Sequence, residues 1–262
     1  MPQDYSQQLW TALNEWWREH SQAKGARAAA SLLAKELWGF LRDSTPERRR
    51  SRYGDMDYDW EQRVDTTSGT VAWRERLLGL FHSPYQPTDP ALFREMMAAL
   101  PIDFHEFTFI DIGSGKGRTL LMASEFGFKK IIGVELMEEL HRAAEKNIAA
   151  YRDKQLHSNR ALDATPRRGF LPQQSIEALC MDAREFVFPE VPLVVYLFNP
   201  LPEAGLRRVL HNLEDSWKKM PRPLWIVYHN PLLEAALSES PFLEKAGSSP
   251  SYSLYRTKAA QD

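Results

Sequence analysis

The sequence predicts a doubly wound α/β domain with a mostly parallel sheet, preceded by a helical extension. Three observations carry this. After Pro101, short apolar runs alternate with helical stretches, the rhythm of parallel strands joined by helical crossovers. The first run, Phe107 to Ile112, feeds directly into the loop "GSGKG", and the loop feeds directly into a helical pattern. The next run, "KKIIGVEL", ends in Glu135, about 20 residues past the loop, the spacing of a nucleoside-binding β-α-β unit.

From Tyr5 to His20 and from Ala26 to Leu41, apolar residues recur at helical spacing, so two amphipathic helices open the chain. Their tryptophans are expected to anchor on the main body, since aromatic stripes at this spacing usually mean core. From Asp43 to about Gln86 the text is polar and turn-forming, long enough for a lid or binding segment. Thr88 or Asp89 can then cap a helix with Pro90 in its first turn. Strands are predicted at 107–112, 130–135, 176–181, 193–198 and 224–228, and intervening helices at 117–126, 137–151 and 202–217. Residues 152–174 read as a polar insertion, and "SYSLYRTK" alternates like a final antiparallel edge strand.

With 262 residues, 43% of them hydrophobic, the chain can build a real core. A net charge of −2 gives no global pull toward nucleic acid or an anionic membrane, and neither is expected as a partner. The basic run Glu47 to Arg52 reads as a solvated loop. Nowhere do about 18 apolar residues follow one another, so no membrane span is expected. The single Cys180 cannot form an internal disulfide, reads as a buried strand thiol, and suits a reducing, cytoplasmic setting. No H-x-x-x-H or C-x-x-C spacing suggests a metal.

Three ligand classes compete for the loop "DIGSGKGRT". A phosphate-binding P-loop needs a leading glycine where Ile110 stands and a hydroxyl where Gly117 follows Lys116, so it fails at both ends. A dinucleotide fingerprint needs its third glycine where Arg118 stands. The third pattern, Asp-x-Gly-x-Gly-x-Gly, is met by Asp111, Gly113, Gly115 and Gly117. It resembles the first motif of the class I S-adenosylmethionine-dependent methyltransferases. That resemblance implies a Rossmann-like fold, seven strands with an antiparallel edge, and residues 85–262 as the cofactor-binding domain behind an extension, 1–84, of helices and lid loops.

The cofactor implied is S-adenosyl-L-methionine. Asp111, Gly113, Ser114, Gly115 and Gly117 would line it, and Glu135, followed by Leu136, would accept the ribose hydroxyls. Asp182, flanked by Met181 and Ala183, would take the adenine amino group. Lys116 is left as a surface residue. A second resemblance lies upstream. Tyr85, Pro87 and Thr88, followed by Asp111 to Arg118 and Gly133 to Glu135, are similar to seven-strand protein-lysine methyltransferases, in which the tyrosine and threonine region closes over the cofactor. "RVDTTSGT", Arg63 to Thr70, reads equally as a second closing loop or a simple turn.

On the acceptor side, "YLFNPLP" places Asn199 and the Pro200 carbonyl where class I enzymes orient a nucleophile. It resembles the Asn-Pro-Pro-aromatic motif of amino-base and glutamine methylating enzymes, but departs from it at Leu201 and Pro202. "VYHNP" brings His229 close, as a base or as a hydrogen-bonded structural residue. Tyr85, Asn199, Pro200 and His229 are thus the catalytic candidates, and Asn199 and Thr88 are also cofactor contacts. The expected activity is methyl transfer by in-line displacement to a protein lysine or a small molecule. The alternatives are a nicotinamide-dependent oxidoreductase or a cofactor-binding scaffold. The N-terminal helices are the candidate partner surface, including for a homodimer.

Overall fold

The computed structural model describes residues 10–43 (without 12, 15, 16, 19, 23 and 24), 56–67, 86–161 and 175–258. The basic run at 47–52, the loop residues 68–70, Tyr85 and residues 162–174 lie outside them. The chain falls into two compact units, Met1–Asp57 with Thr67–Gln86, and Tyr58–Thr66 with Pro87–Asp262.

In the smaller unit, helical residues over 10–22 lead through Gly25, in the left-handed region at φ 81°, into helix α1 (Ala26–Asp43). Trp10, which stands off the apolar stripe, is 65% exposed, and Trp17 is half-buried. Helix α2 (Met56–Gln62) leads into the larger unit, where Arg63, at φ 56°, turns the chain sharply.

The larger unit holds a seven-stranded sheet: β1 (Thr108–Ile112), β2 (Lys130–Glu135), β3 (Ser175–Cys180), β4 (Leu193–Leu197), β5 (Leu224–His229), β6 (Leu243–Ser248) and β7 (Tyr252–Thr257). Their order is β3-β2-β1-β4-β5-β7-β6. Strands β1 to β5 pair in parallel, and β7 runs antiparallel to both β5 and β6. The tail strand is therefore not an edge. It inserts between β5 and β6, and β6, unannounced by any alternation in its half-polar text, takes the edge.

Alternate residues of the central strands feed two cores. Phe109, Val194, Tyr196 and Val227 meet Phe93, Met96 and Met97 of helix α3 (Pro90–Ala98) and Leu120 of helix α4 (Arg118–Ala123). Ile110, Ile112, Val195 and Ile226 meet Leu206, Val209 and Leu210 of helix α6 (Glu203–Lys219), with Leu237 of helix α7 (Glu234–Ser238) alongside. Asp89 caps α3, its carboxylate accepting from the Leu92 N–H at 2.8 Å. Helix α5 (Glu138–Ala161) extends ten residues into the expected insertion. Its polar turns are held from outside: Arg152 donates to the Ile176 carbonyl, and Lys154 donates to the Glu61 carbonyl and to Gln62.

Strand order reverses between β1 and β4, and the crevice beyond the carboxyl ends of those two strands is the place such a sheet offers a ligand.

Candidate active site

The glycine loop opens at this crevice. Gly113, Gly115 and Gly117 have φ of 82°, 53° and 82°, backbone that side-chain-bearing residues rarely adopt. Gly113 and Ser114 both donate N–H to the Val134 carbonyl, at 2.8 and 3.1 Å, folding the loop over the end of β2. A Cβ on Gly113 would stand 2.6 Å from Cβ of Pro200, so the loop and the turn after β4 touch. A Cβ on Gly133 would stand 2.7 Å from Ser114 Oγ, which is why β2 carries glycine there. Ser114 Oγ is buried, has no hydrogen-bond partner among the described residues and faces β2.

Glu135 joins loop to strand: its Oε2 accepts from Gly115 N–H and its Oε1 from Met137 N–H, each at 2.8 Å. Burial pushes its carboxyl above the usual carboxylate range, against those backbone donors. Each oxygen keeps a lone pair, which is what a ribose diol needs. Asp111, mid-crevice, accepts from the Thr119 hydroxyl, and burial pushes it up to about 7. Leu136 is exposed, Met181 half-buried and Ala183 buried, a partly open apolar rim beside Glu135. Asp182 caps the turn Ala183–Glu185 and is bidentate with Arg184 at 2.6 to 3.1 Å, so an adenine amino group would share it with that guanidinium.

Two expectations fail at this end. Lys116 is buried and ion-paired to Asp65 at 3.2 Å, not on the surface, because the segment Tyr58–Thr66 lies over the start of α4. Cys180 is exposed, because β3 is an edge strand and the thiol stands at its end. The covering segment takes in the first four residues of "RVDTTSGT", Arg63 to Thr66. Arg118 is buried with its Nε on Thr66 at 2.6 Å, its Nη2 on Asp59 at 3.1 Å and the Tyr58 ring 5.1 Å away. Burial pulls that guanidinium down to about 10. Asn147 of α5 closes the strap, accepting from Asp65 N–H at 2.8 Å and donating to the carbonyls of Asp65 and Lys116. The signal available was a run of side chains able to bond one another. Their partners, fifty or more residues away, left no local mark.

At the acceptor end, β4 and β5 both run into Asn-Pro with the asparagine in the left-handed region, Asn199 at φ 46° and Asn230 at φ 47°. The Asn199 amide donates to the Asn230 carbonyl at 2.8 Å and its Oδ1 accepts from the Tyr228 hydroxyl at 2.8 Å. Its side chain thus ties the two turns together. Thr88 is buried with its hydroxyl 2.8 Å from that of Tyr196, which sits 2.8 Å from His229 Nδ1. Phe198 stacks on the His229 ring at 3.8 Å. The structure therefore brings Asn199, Pro200 and His229 to one end of β4 and β5, beside the glycine loop.

Residues 83–185, fewer than half of the chain, match the family described as "Histone methylation protein DOT1". A protein-lysine N-methyltransferase of Saccharolobus islandicus (strain REY15A) is 35% identical over 68 residues, covering 26% of this chain and 42% of that protein. The chain thus spans less than half the length of this curated relative. Among solved structures, an RNA methyltransferase from Salinibacter ruber in complex with S-adenosyl-L-homocysteine is 17% identical over 68% of this chain and 98% of its own, with a TM-score of 0.41. A ribosomal protein L11 methylase from Lactobacillus delbrueckii subsp. bulgaricus is 16% identical over 64% and 76%, also with a TM-score of 0.41. Over residues 83–185 the chain is similar to the DOT1 histone-methylation family, and its seven strands form a Rossmann-like, mostly parallel sheet with an antiparallel β7.

Proposed function

We propose that the protein is an S-adenosylmethionine-dependent methyltransferase, and that its acceptor is an amine, first of all a lysine side chain of another protein. One observation supports the cofactor above all: the glycine loop, Glu135 and Asp182 stand at the carboxyl ends of β1, β2 and β3, with Pro200 in contact with Gly113. Ribose hydroxyls would bond the free lone pairs of Glu135, adenine would lie between Leu136 and Met181 with its amino group toward Asp182, and Asp111 would face the positive end of the amino acid. Asp111, held near half-protonation by burial, is a carboxyl that a neighbouring ammonium would ionise. Bound S-adenosylmethionine supplies a methyl group on a sulfonium.

The protein's work is then positional. An in-line displacement needs the nucleophile about 3 Å from the methyl with water kept out. Asn199 and Pro200, locked by the tie to Tyr228 and Asn230, fix the wall beside the loop, and Tyr85 and His229 are the further candidates to orient the acceptor. Lysine is favoured because the family match includes the loop and strand that resemble protein-lysine enzymes, and a net charge of −2 does not favour nucleic acid. The free thiol of Cys180 suits a reducing, cytoplasmic setting. Among the described residues no helix is long and apolar enough to cross a membrane.

Calorimetry with S-adenosylhomocysteine tests the cofactor. Wild-type protein should bind at one site, Gly115→Arg should abolish binding, and Glu135→Ala should weaken it by about tenfold or more, the scale of lost bonds to a charged group. A wild-type protein indifferent to the compound would sink the reading. Tritium-methyl labelling of a cell extract, separated into protein and small-molecule fractions, then tests the acceptor, with label in protein expected.

A further inference from the structure

The hydrogen-bond chain Thr88, Tyr196, His229 has a direction, and the direction decides what His229 can do. Among the described residues, Tyr196 is the one hydrogen-bond partner of the Thr88 hydroxyl, and Tyr196 in turn touches only Thr88 and His229 Nδ1 in this way. Suppose the imidazole donated from Nδ1. Tyr196 would pass its own proton to Thr88, and the Thr88 proton would be left in a buried place with no acceptor among the described residues, which is unfavourable. With the reverse order, Thr88 donates to Tyr196, Tyr196 donates to Nδ1, and both hydroxyl protons are used. The neutral ring then carries its hydrogen on Nε2. That nitrogen is not among the described side-chain atoms sealed from solvent without a partner, so it keeps some access beside the stacked Phe198.

We propose that His229 is a fixed hydrogen-bond donor through Nε2, with Thr88 and Tyr196 as the positioning residues that set this tautomer, and that it is not the proton acceptor of the reaction. The placement in an active site rests on the methyltransferase reading; the tautomer does not. Burial keeps the imidazole neutral, outweighing the attraction of Asp89 before α3. Asp111 on β1 faces the chain through Tyr196.

A donor at this place cannot bond the attacking nitrogen, whose lone pair must point at the methyl carbon. What Nε2–H meets is an oxygen with a spare lone pair, a carbonyl or carboxylate of the methyl acceptor or of the amino-acid part of the cofactor. The amine proton must leave by another route, to water or to another side chain. His229 thereby passes from candidate base to candidate specificity residue.

Long-range 1H–15N correlation spectra of the full chain labelled with 15N-histidine read the tautomer directly, with His229→Gln used to assign the signals. At pH 7 the wild type should show a protonated Nε2 and a bare, hydrogen-bonded Nδ1. Tyr196→Phe, checked for folding by its thermal transition, should lose that single pattern and show averaged nitrogens. A wild-type ring protonated on Nδ1, or on both nitrogens, would overturn the proposal whether or not Tyr196→Phe folds. Failure of the methyltransferase reading would appear separately, as absent S-adenosylhomocysteine binding with the tautomer intact. Addition of S-adenosylhomocysteine alone should shift the Nε2 signal if the oxygen belongs to the cofactor, and leave it in place if the oxygen belongs to the acceptor.

Discussion

The two sides of the crevice are built from opposite materials. On the glycine-loop side, charged groups are buried: Arg118 with Asp59, Lys116 against an exposed Asp65, and the carboxyls of Glu135 and Asp111. On the acceptor side, the chain Thr88, Tyr196, His229 and the tie Tyr228, Asn199, Asn230 are neutral hydrogen bonds around two left-handed asparagines. A buried charge is expensive to leave alone, whereas a neutral bond contributes little and mainly fixes geometry. The loop side should therefore fail by unfolding and the acceptor side by misplacement.

The largest effect should follow loss of Arg118. Arg118→Ala leaves Asp59 and Thr66 facing one another without their shared cation, and breaking a buried pair this way costs about 3–5 kcal/mol. Urea unfolding measures it. Arg118→Lys should recover only part, since one ammonium cannot reproduce a fork that reaches Thr66 and Asp59 at once. If Arg118→Ala proved as stable as wild type, the strap would not be a clamp on the loop.

Next comes pH, where the two sides should pull in opposite directions. Asp111 has its folded value raised, to about 7, so the folded state holds a proton that the unfolded chain has released. Its stabilising effect is complete below about pH 4 and is lost as pH rises through about 7. His229 has its folded value lowered to about 4, so below about pH 6.5 the unfolded chain takes up a proton that the folded state refuses. Its contribution to stability therefore grows as pH climbs from about 4 to about 6.5. A tenfold difference in proton affinity between folded and unfolded chain corresponds to about 1.4 kcal/mol. Asp111→Asn should remove the falling component from a series of melting temperatures across that range, and His229→Gln the rising one.

Gly133→Ala should cost about 1–3 kcal/mol as an overpacked site, because the new Cβ would meet Leu120 Cδ1 at 2.6 Å and Ser114 Oγ at 2.7 Å. Ser114 must move, and the loop with it. S-adenosylhomocysteine affinity should fall together with stability, and unchanged affinity would show that the loop tolerates the shift.

What the sequence made legible is unevenly divided between these sides. The loop, Glu135 and Asp182 are local in text: a strand, a turn and a helix start in fixed spacing, so the pattern alone locates them. The strap is not local. Asp59 meets Arg118 from 59 residues away, and nothing near Lys116 announces that it will be covered. The same limit explains the sheet edge. Tyr252 to Thr257 alternates well enough to be read as a strand, but its place between β5 and β6 depends on pairing that periodicity does not encode. On the acceptor side, the repeated Asn-Pro was visible as letters. That Asn199 spends its side chain on Tyr228 and Asn230, and that Thr88 faces Tyr196, are facts of packing.

The smallest effects lie at those asparagines, and they separate backbone strain from side-chain ties. Asn199→Ala removes two hydrogen bonds and places a residue with little left-handed tolerance at φ 46°, a cost of about 2 kcal/mol from both causes. Asn199→Gly removes the same bonds and the strain, at some expense in chain entropy, and should destabilise by about 1 kcal/mol less. Asn230 shares the conformation at φ 47°, but it is its backbone carbonyl that serves the tie. Asn230→Gly should therefore be close to neutral in thermal melts and Asn230→Ala should cost about 1 kcal/mol. Equal losses for glycine and alanine at both positions would mean that the side chains, and not the left-handed turns, hold the ends of β4 and β5 together.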